Sequence, residues 1–304
     1  MKFSLLQPLS DIPLAFVDVE TTGASAGLGD RVTEVGVVRI EGGRVVAEYQ
    51  QLVDPKRRIS PGVQALTGIT QAMVDGQPTF ADQIGAVVEH MQGAAVIGHN
   101  VSFDLSFLAS EFRRAGTQLH DALGDVPVLD TVRMARRRFG RGGNGLQVLS
   151  RRLGITPTVA HRALADAQTT AGVFAHLIGM AGSWNLPLCD AFVMQGGATT
   201  LKPVTVRGPS LPLELEEALE QQKLVRLEYL DARQRRTQRV IQPIEVRTFK
   251  GELTLVAHCQ LRNDRRTFKV DRIVQILRAD IETAHGTAPR SNETGHESKA
   301  DASP

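Results

Sequence analysis

Apolar residues along this chain fall into two rhythms. Up to about residue 180, strand-like and helix-like spacing alternate; beyond about 210, one short helical pattern precedes strand-like runs only. The first run, "LAFVDVETTG" from Leu14 to Gly23, is near-continuously apolar and predicts a buried strand, yet Asp18 and Glu20 sit inside it. "RVTEVGVVRI" and "RVVAEYQQLV" predict two more strands, joined by a turn at Glu41-Gly42-Gly43. "FADQIGAVVEHM" places Phe80, Ile84, Val87 or Val88, and Met91 on one helical face. "AAVIG" reads as a short strand ending at His99. "SFDLSFLASEFRRAG" reads as a helix with Leu105, Leu108 and Phe112 aligned and Gly116 as its stop. "VPVLDT" is a further strand, with Asp130 or Thr131 placed to cap the next helix, and "GLQVLSRRLG" and "ALADAQTTAGVFAHLIGM" read as helices. Three strands paired early, then strand–helix alternation, predict an α/β domain with a mixed sheet over residues 1–180.

Residues 181–208 run into small, Pro/Gly/Thr-rich sequence ("GGATTLKPVTVRGPS") and are expected to form a linker. Residues 209–282 begin with an acidic helix, "LPLELEEALEQQ". The runs "LVRLEYL", "RVIQPIEVRTF", "ELTLVAHCQL", "RTFKVDRI" and "VQILRA" follow, separated by tight polar turns, and predict a small, bent sheet or barrel. Residues 283–304 lack apolar content and are expected to be disordered.

Composition changes this picture in one respect. The net charge of the 304 residues is only +2, but it is unevenly spread. Residues 221–280 hold 14 Lys/Arg against 7 Asp/Glu, leaving 21 against 26 elsewhere. An acidic unit joined to a basic one suggests that the basic unit meets an anionic polymer. Cys189 and Cys259 are isolated, which argues against a disulfide framework or a structural zinc and fits a reducing cytoplasm. The N-terminal stretch is broken by Pro8, Asp11 and Pro13, a poor signal peptide, and no run is long enough to span a membrane.

The chemistry lies in the acids. Strand side chains alternate, so Asp18 and Glu20 share a face. Two such charges about 4 Å apart repel by roughly 4 kcal/mol at an effective dielectric near 20. Asp104 opens a helix just after a strand, where it would complement the helix dipole without any function. Asp166 adjoins an apolar helical face formed by Leu164, Ala167, Ala171 and Phe174, an awkward place for a merely solvated carboxylate. A common reason for all four is a pair of hard cations, Mg²⁺ or Mn²⁺, which prefer oxygen ligands and remove the repulsion. Two such ions suit an in-line displacement at phosphorus. His161 lies five residues before Asp166, about 140° away on a regular helix, so it is expected at the helix start or on the preceding loop. There it suits a general base acting on an attacking water. The same stretch, "LQVLSRRLGITPTVAHRALADA", also reads as a helix-turn-helix with Gly154 at its turn and Thr158 as a cap, but that leaves Asp18, Glu20 and Asp104 unexplained.

"FVDVETTG", "GHNVSFDLSFL" and "HRALADA" resemble the three sequence blocks of the DEDDh exonucleases, with "LTGIT" and "LDT" as further similar stretches. The resemblance covers about residues 12–180. It implies a ribonuclease-H-like mixed sheet flanked by helices, and removal of nucleotides from a 3′ end with two divalent cations. It implies Asp18, Glu20, Asp104 and Asp166 as metal ligands and His161 as general base, with Thr21, His99, Asn100 and Phe103 lining the terminal-nucleotide pocket. Residues 209–282 resemble a WYL domain, a small Sm/SH3-like β-barrel, best at "RTFKVDRI", although Leu253-Thr254-Leu255 stands where that family often has Trp-Tyr-Leu. This implies nucleic-acid or nucleotide-like binding through Arg266, Lys269 and Arg272. The expectation is a cytoplasmic 3′–5′ exonuclease acting on DNA ahead of RNA, with a polymerase or repair partner open. The alternatives are an exoribonuclease, or a nucleic-acid-binding regulator using the nuclease fold as a scaffold.

Overall fold

A computed structural model describes residues 3–156, 161–203 and 211–279. The first unit contains strands β1 (Leu14–Thr21), β2 (Val32–Glu41), β3 (Arg44–Leu52), β4 (Ala95–Gly98) and β5 (Val128–Asp130). Its helices are α1 (Pro61–Thr67), α2 (Gln71–Val74), α3 (Phe80–Met91), α4 (Val101–Arg114), α5 (Leu119–Leu123), α6 (Thr131–Phe139), α7 (Leu146–Arg152), α8 (Ala163–Gly179) and α9 (Leu188–Gln195). The sheet order is β3-β2-β1-β4-β5. The first three strands are antiparallel, and β4 and β5 join parallel. Gly42 and Gly43 both take positive φ, 58° and 75°, as the tight β2–β3 turn requires.

The apolar run of β1 follows from its central position, because both faces are covered. Ala15, Val17 and Val19 enter a core beneath α3 and α4, whereas Leu14 and Phe16 enter the opposite core with α6, α8 and α9. Phe16 meets Phe174 of α8 edge to face at 5.5 Å. Asp18 and Glu20 continue the Leu14/Phe16 face, so they rise beneath the helix that carries Asp166. That helix comes very close at Gly36 of β2, opposite Asp18 in the ladder. A Cβ there would lie 2.3 Å from the carbonyl carbon of Ala163.

The stretch expected as a linker is different. Residues 181–203 belong to the nuclease unit: α9 buries Leu188, Ala191 and Phe192, and Leu201 enters the other core. Gln195 acts as a surrogate strand for β5, its Oε1 accepting from Asp130 N at 2.9 Å and its Nε2 donating to Val128 O at 3.1 Å. Its shortness, two turns, and the following Gly-Gly hid this element from a periodicity reading. Residues 204–208 of the expected linker, the cap residue Thr158 and the tail 283–304 lie outside the described residues. Among the described residues, α7 and α8 do not form a helix-turn-helix. Ten residues separate them, far more than the short turn of that motif.

The second unit is α10 (Leu213–Gln221) with β6 (Val225–Leu230), β7 (Arg236–Phe249), β8 (Glu252–Cys259), β9 (Asp264–Lys269) and β10 (Ile273–Arg278). The sheet is wholly antiparallel in the order β10-β6-β7-β8-β9. It has a register shift at Pro243/Glu245 in β7, and no ladder joins its edge strands β9 and β10 among the described residues. Its core gathers Leu215, Leu227, Ile241, Leu255, Cys259 and Phe268, and Ala24 and Leu28 of the first unit pack onto it. The units also touch at Ser60, whose hydroxyl donates to Asp271 O at 2.9 Å. Among the described residues, no helix is long and apolar enough to cross a membrane, and both cysteines are free thiols.

Because Gly36 abuts backbone, Gly36→Ala is expected to destabilise the protein by about 1–3 kcal/mol through overpacking. Gly85, on α3, has open space around it. Gly85→Ala is expected to be neutral or stabilising by up to about 1 kcal/mol. Urea unfolding of both variants against the wild type checks the contrast.

Candidate active site

Three elements deliver the acids to one place. Glu20 stands at the end of β1, Asp166 in the first turn of α8, and the ligand-type atoms of Glu20, His161 and Asp166 all lie within 4.8 Å of one another. Asp104, 3% exposed, turns its Oδ1 to accept from Val19 N at 3.0 Å, which locks α4 onto β1 between the two strand acids. Asp18 and Asp104 stand outside the tight trio but inside the same field. Burial pushes the Asp18 carboxyl well above its usual range, and Asp104, Asp166, Glu20 and Glu34 add to the push. Burial likewise raises Glu20, with Asp166 the largest charge contribution. Asp104 is raised by burial despite its bond from Val19, and Asp166 is raised by burial to about 6. A concentration of buried carboxylates with few cations near it fits a divalent-cation site: all-oxygen donors, with a charge that only a cation offsets.

His161 sits just before α8, as expected, with positive φ (58°). Its N–H donates to Asp166 Oδ2 at 3.1 Å, and burial lowers its ring pKa below the ordinary value. The remaining Asp166 oxygen accepts from Gln147 Nε2 of α7 at 2.8 Å. Thr21 is buried and donates its hydroxyl to Gly23 O at 2.6 Å. Asn100 caps α4 in a left-handed conformation, its N–H bonded to Asp130 Oδ1 at 3.1 Å. Phe103 packs on Phe107, ring centres 4.9 Å apart. Both nitrogens of His99 face protein groups, Thr131 Oγ1 at 2.9 Å and the Asn144 carbonyl at 2.7 Å. The carbonyl contact requires the Nε2–H tautomer, and burial lowers the ring pKa to about 4.

Sequence reasoning missed the residues that hold these groups in place. Glu34, 0% exposed, pairs with Glu20 across the β1–β2 ladder. Its carboxylate is gripped by Arg162, Nη2 to Oε1 at 2.6 Å, and also accepts from Ala163 N at 3.0 Å at the N-terminus of α8. A charged residue inside an otherwise apolar strand was its available signal. Gln147 carried none.

In the second unit, Arg266 is exposed on β9 with no ion pair among the described residues. Lys269 pairs with Glu252, and Arg272 is half-buried in the turn before β10. The basic run 133–141 is not a simple exposed track. Arg133 bonds Thr199, Arg136 faces Glu217, and Arg141 pairs with Glu220. A cavity of about 290 Å³ lies between the units, bordered by Thr22, Gly23, Arg57, Arg58, Glu252 and Asp271 among others.

A five-stranded mixed sheet with paired carboxylates on its central strand and a third acid on the packed helix defines a ribonuclease-H-like nuclease. The chain belongs to the exonuclease family: the profile "RNase_T: Exonuclease" matches residues 15–174, and the WYL domain profile matches residues 212–277. It is 35% identical over 163 residues to the 3′-5′ exonuclease DinG of Bacillus subtilis, covering 53% of this chain and 17% of that protein. It is 38% identical over 176 residues to a DNA polymerase III subunit epsilon-like protein of Rhodobacter capsulatus, covering 56% and 24%. The chain thus spans a quarter or less of these relatives' lengths. Among solved structures, E. coli Exonuclease I in complex with a dA16 oligonucleotide shares the fold. The TM-score is 0.50 at 18% identity, over 82% of this chain and 55% of that one.

The raised carboxyl of Asp166 has a thermodynamic consequence. Between about pH 4 and 6 the folded chain holds a proton at Asp166 that the unfolded chain has lost, so the Asp166 contribution to stability falls as pH rises through that window and is level above it. A shift of this size corresponds to about 3 kcal/mol. In chelator, urea unfolding at pH 5 and 7.5 is expected to show Asp166→Asn losing about 1.4 kcal/mol less than wild type on going to the higher pH, because only the part of the window from pH 5 to 6 falls inside that interval. Equal losses would contradict the assignment.

Proposed function

We propose that this protein is a divalent-metal-dependent 3′–5′ exonuclease that releases 5′-mononucleotides, acting on DNA. The observation that carries this reading is the meeting of carboxylates from β1, α4 and α8 with His161 at one end of the sheet. The name of one relative, a DNA polymerase III subunit epsilon-like protein, favours DNA.

In this reading Asp18, Glu20, Asp104 and Asp166 hold two cations, Mg²⁺ or Mn²⁺. These supply stabilisation of the charge on the attacking and leaving oxygens. Asp104 keeps its geometry through Val19, and Asp166 through Gln147 and the His161 backbone. The lowered pKa of His161 leaves its imidazole neutral near pH 7, ready to take a proton from the attacking water. The water oxygen bonds to phosphorus, and the bond from phosphorus to the 3′ oxygen of the preceding nucleotide breaks. A 5′-mononucleotide leaves, and the shortened strand regains a 3′-hydroxyl. Thr21, Asn100 and Phe103 line the terminal-nucleotide pocket, with Phe103 offering an aromatic face. His99, engaged by Thr131 and Asn144, supports that wall. The second unit we read as a small Sm/SH3-like barrel left open between β9 and β10. It holds or senses the strand through Arg266, Lys269 and Arg272.

Digestion of 5′-labelled single-stranded DNA and RNA of one sequence, with Mg²⁺, Mn²⁺ or chelator, tests the reading. The expected result is a metal-dependent ladder shortening from the 3′ end on DNA. Asp18→Ala should abolish it, and His161→Ala should slow it by about 10²- to 10⁴-fold. A ladder on RNA alone would transfer the activity to RNA, and intact strands in every lane would leave only a binding protein. Separately, Arg266→Ala is expected to lower the slope of log affinity against log salt by about one on DNA. An unchanged slope would remove Arg266 from the strand's path.

A further inference from the structure

One loop touches both the second unit and the acidic cluster. Residues 140–145, "GRGGNG", contain four glycines and no apolar anchor. Gly142 and Gly143 have φ of 97° and 72°. Such a segment loses more conformational freedom on ordering than any other composition, so something outside it must hold it. Its buried charged hold is Glu217 of α10, beside the exposed Arg141–Glu220 pair. The Glu217 side chain is buried, 6% exposed, in a helix whose acidic run reads as a solvated face. Oε2 accepts from Gly143 N at 3.0 Å and Oε1 from Asn144 Nδ2 at 3.1 Å, with the Arg136 guanidinium 3.5 Å from Oε1. Glu214, one turn earlier, closes over Gly145, where a Cβ would lie 2.0 Å from its Oε1.

From the held loop two paths enter the site. Asn144, fully buried, offers its carbonyl to His99 Nε2 at 2.7 Å, at the junction between β4 and the helix that carries Asp104. Gly145 caps α7, and two residues on, Gln147 donates to Asp166 Oδ1 at 2.8 Å. Leu149, with Leu146 and Leu153, packs α7 onto the nuclease core, and Glu217 fixes the loop that leads into α7, so the carboxylate bears on where the helix carrying Gln147 begins.

We propose that Glu217 is a positioning residue of the nuclease site: through loop 140–145 it sets Gln147, and through Gln147 the Asp166 carboxylate, making the second unit a structural part of the cation site. The inference rests on the reading of Asp166 as a cation ligand. It assigns to the second unit a role independent of strand binding.

The test uses the full chain without substrate and reads Mn²⁺ affinity by titration calorimetry, with urea unfolding in parallel. Gln147→Ala is expected to weaken Mn²⁺ binding about tenfold, as loss of a partner orienting a metal ligand does. Glu217→Ala is expected to weaken it to a similar degree, and the double variant no further than Gln147→Ala alone. Glu217→Gln, which keeps the shape and one acceptor oxygen, should recover part of the loss and serves if Glu217→Ala does not fold. Glu220→Ala, which removes from the same helix only an exposed ion pair with Arg141 at the start of the loop, should weaken Mn²⁺ binding less than about twofold, far less than Glu217→Ala. Wild-type affinity in a folded Glu217 variant, with Gln147→Ala weakened, would overturn the proposal and leave the cation site standing. Wild-type affinity in Asp166→Ala would overturn the reading beneath it as well.

Discussion

Mutual repulsion among Asp18, Glu20, Asp104 and Asp166 is the constraint around which the nuclease unit is arranged. Burial and neighbouring charge push all four carboxyls upward. A fold that merely needed a stable core would place apolar side chains there, since buried charges without partners cost far more than they return. Instead, Asp104 and Asp166 are held by bonds that fix their direction without neutralising them, beside Asp18 and Glu20 on β1. Asp104 accepts from a backbone N–H of β1, and Asp166 accepts from Gln147 and from the His161 backbone. Glu34 alone among the nearby acids has a full cationic partner, Arg162, and it anchors the start of α8. In the proposed reading the arrangement separates an acid that builds the scaffold from acids that would meet a cation.

The scaffold around this cluster is correspondingly tight. Gly36 brings the N-terminus of α8 against β2 directly opposite Asp18, and Glu111, nearly fully buried on α4, grips Arg31 before β2 with paired bonds of 2.7 and 2.8 Å. Those contacts pin the two helices that carry Asp104 and Asp166 to the strands beside Asp18 and Glu20. Where the nuclease unit lacks its own packing, in the glycine-rich loop before α7, the second unit supplies a carboxylate. The two units therefore share one network of hydrogen bonds, and the bonds of Glu217 reach the neighbours of His99 and Asp166.

Much of this was legible in the sequence. Asp18 and Glu20 interrupt an apolar strand, which flags them chemically, and the spacing of His161 from Asp166 rightly put the histidine off the regular helix. Three early strands followed by strand–helix alternation made the mixed sheet legible, though not its strand order. What stayed hidden has physical reasons. Gln147 is a neutral polar residue on a short helix and acts only through its place in space. Glu217 sits in an acidic run, where exposure is the ordinary state. α9 is a two-turn helix whose burial depends on a partner surface 50 or more residues away in sequence, so its own periodicity said little. Open edges between β9 and β10 could not be told from a closed barrel by counting strands.

The account stands or falls on whether the carboxylates hold cations. The most direct measurement is the anomalous-scattering map of a crystal of the full chain soaked in Mn²⁺. Two peaks flanked by Asp18, Glu20, Asp104 and Asp166, and lost in a crystal of Asp18→Ala, are the predicted result. A map with no peak among these residues at saturating Mn²⁺ would contradict it, and the buried acids would then need another explanation.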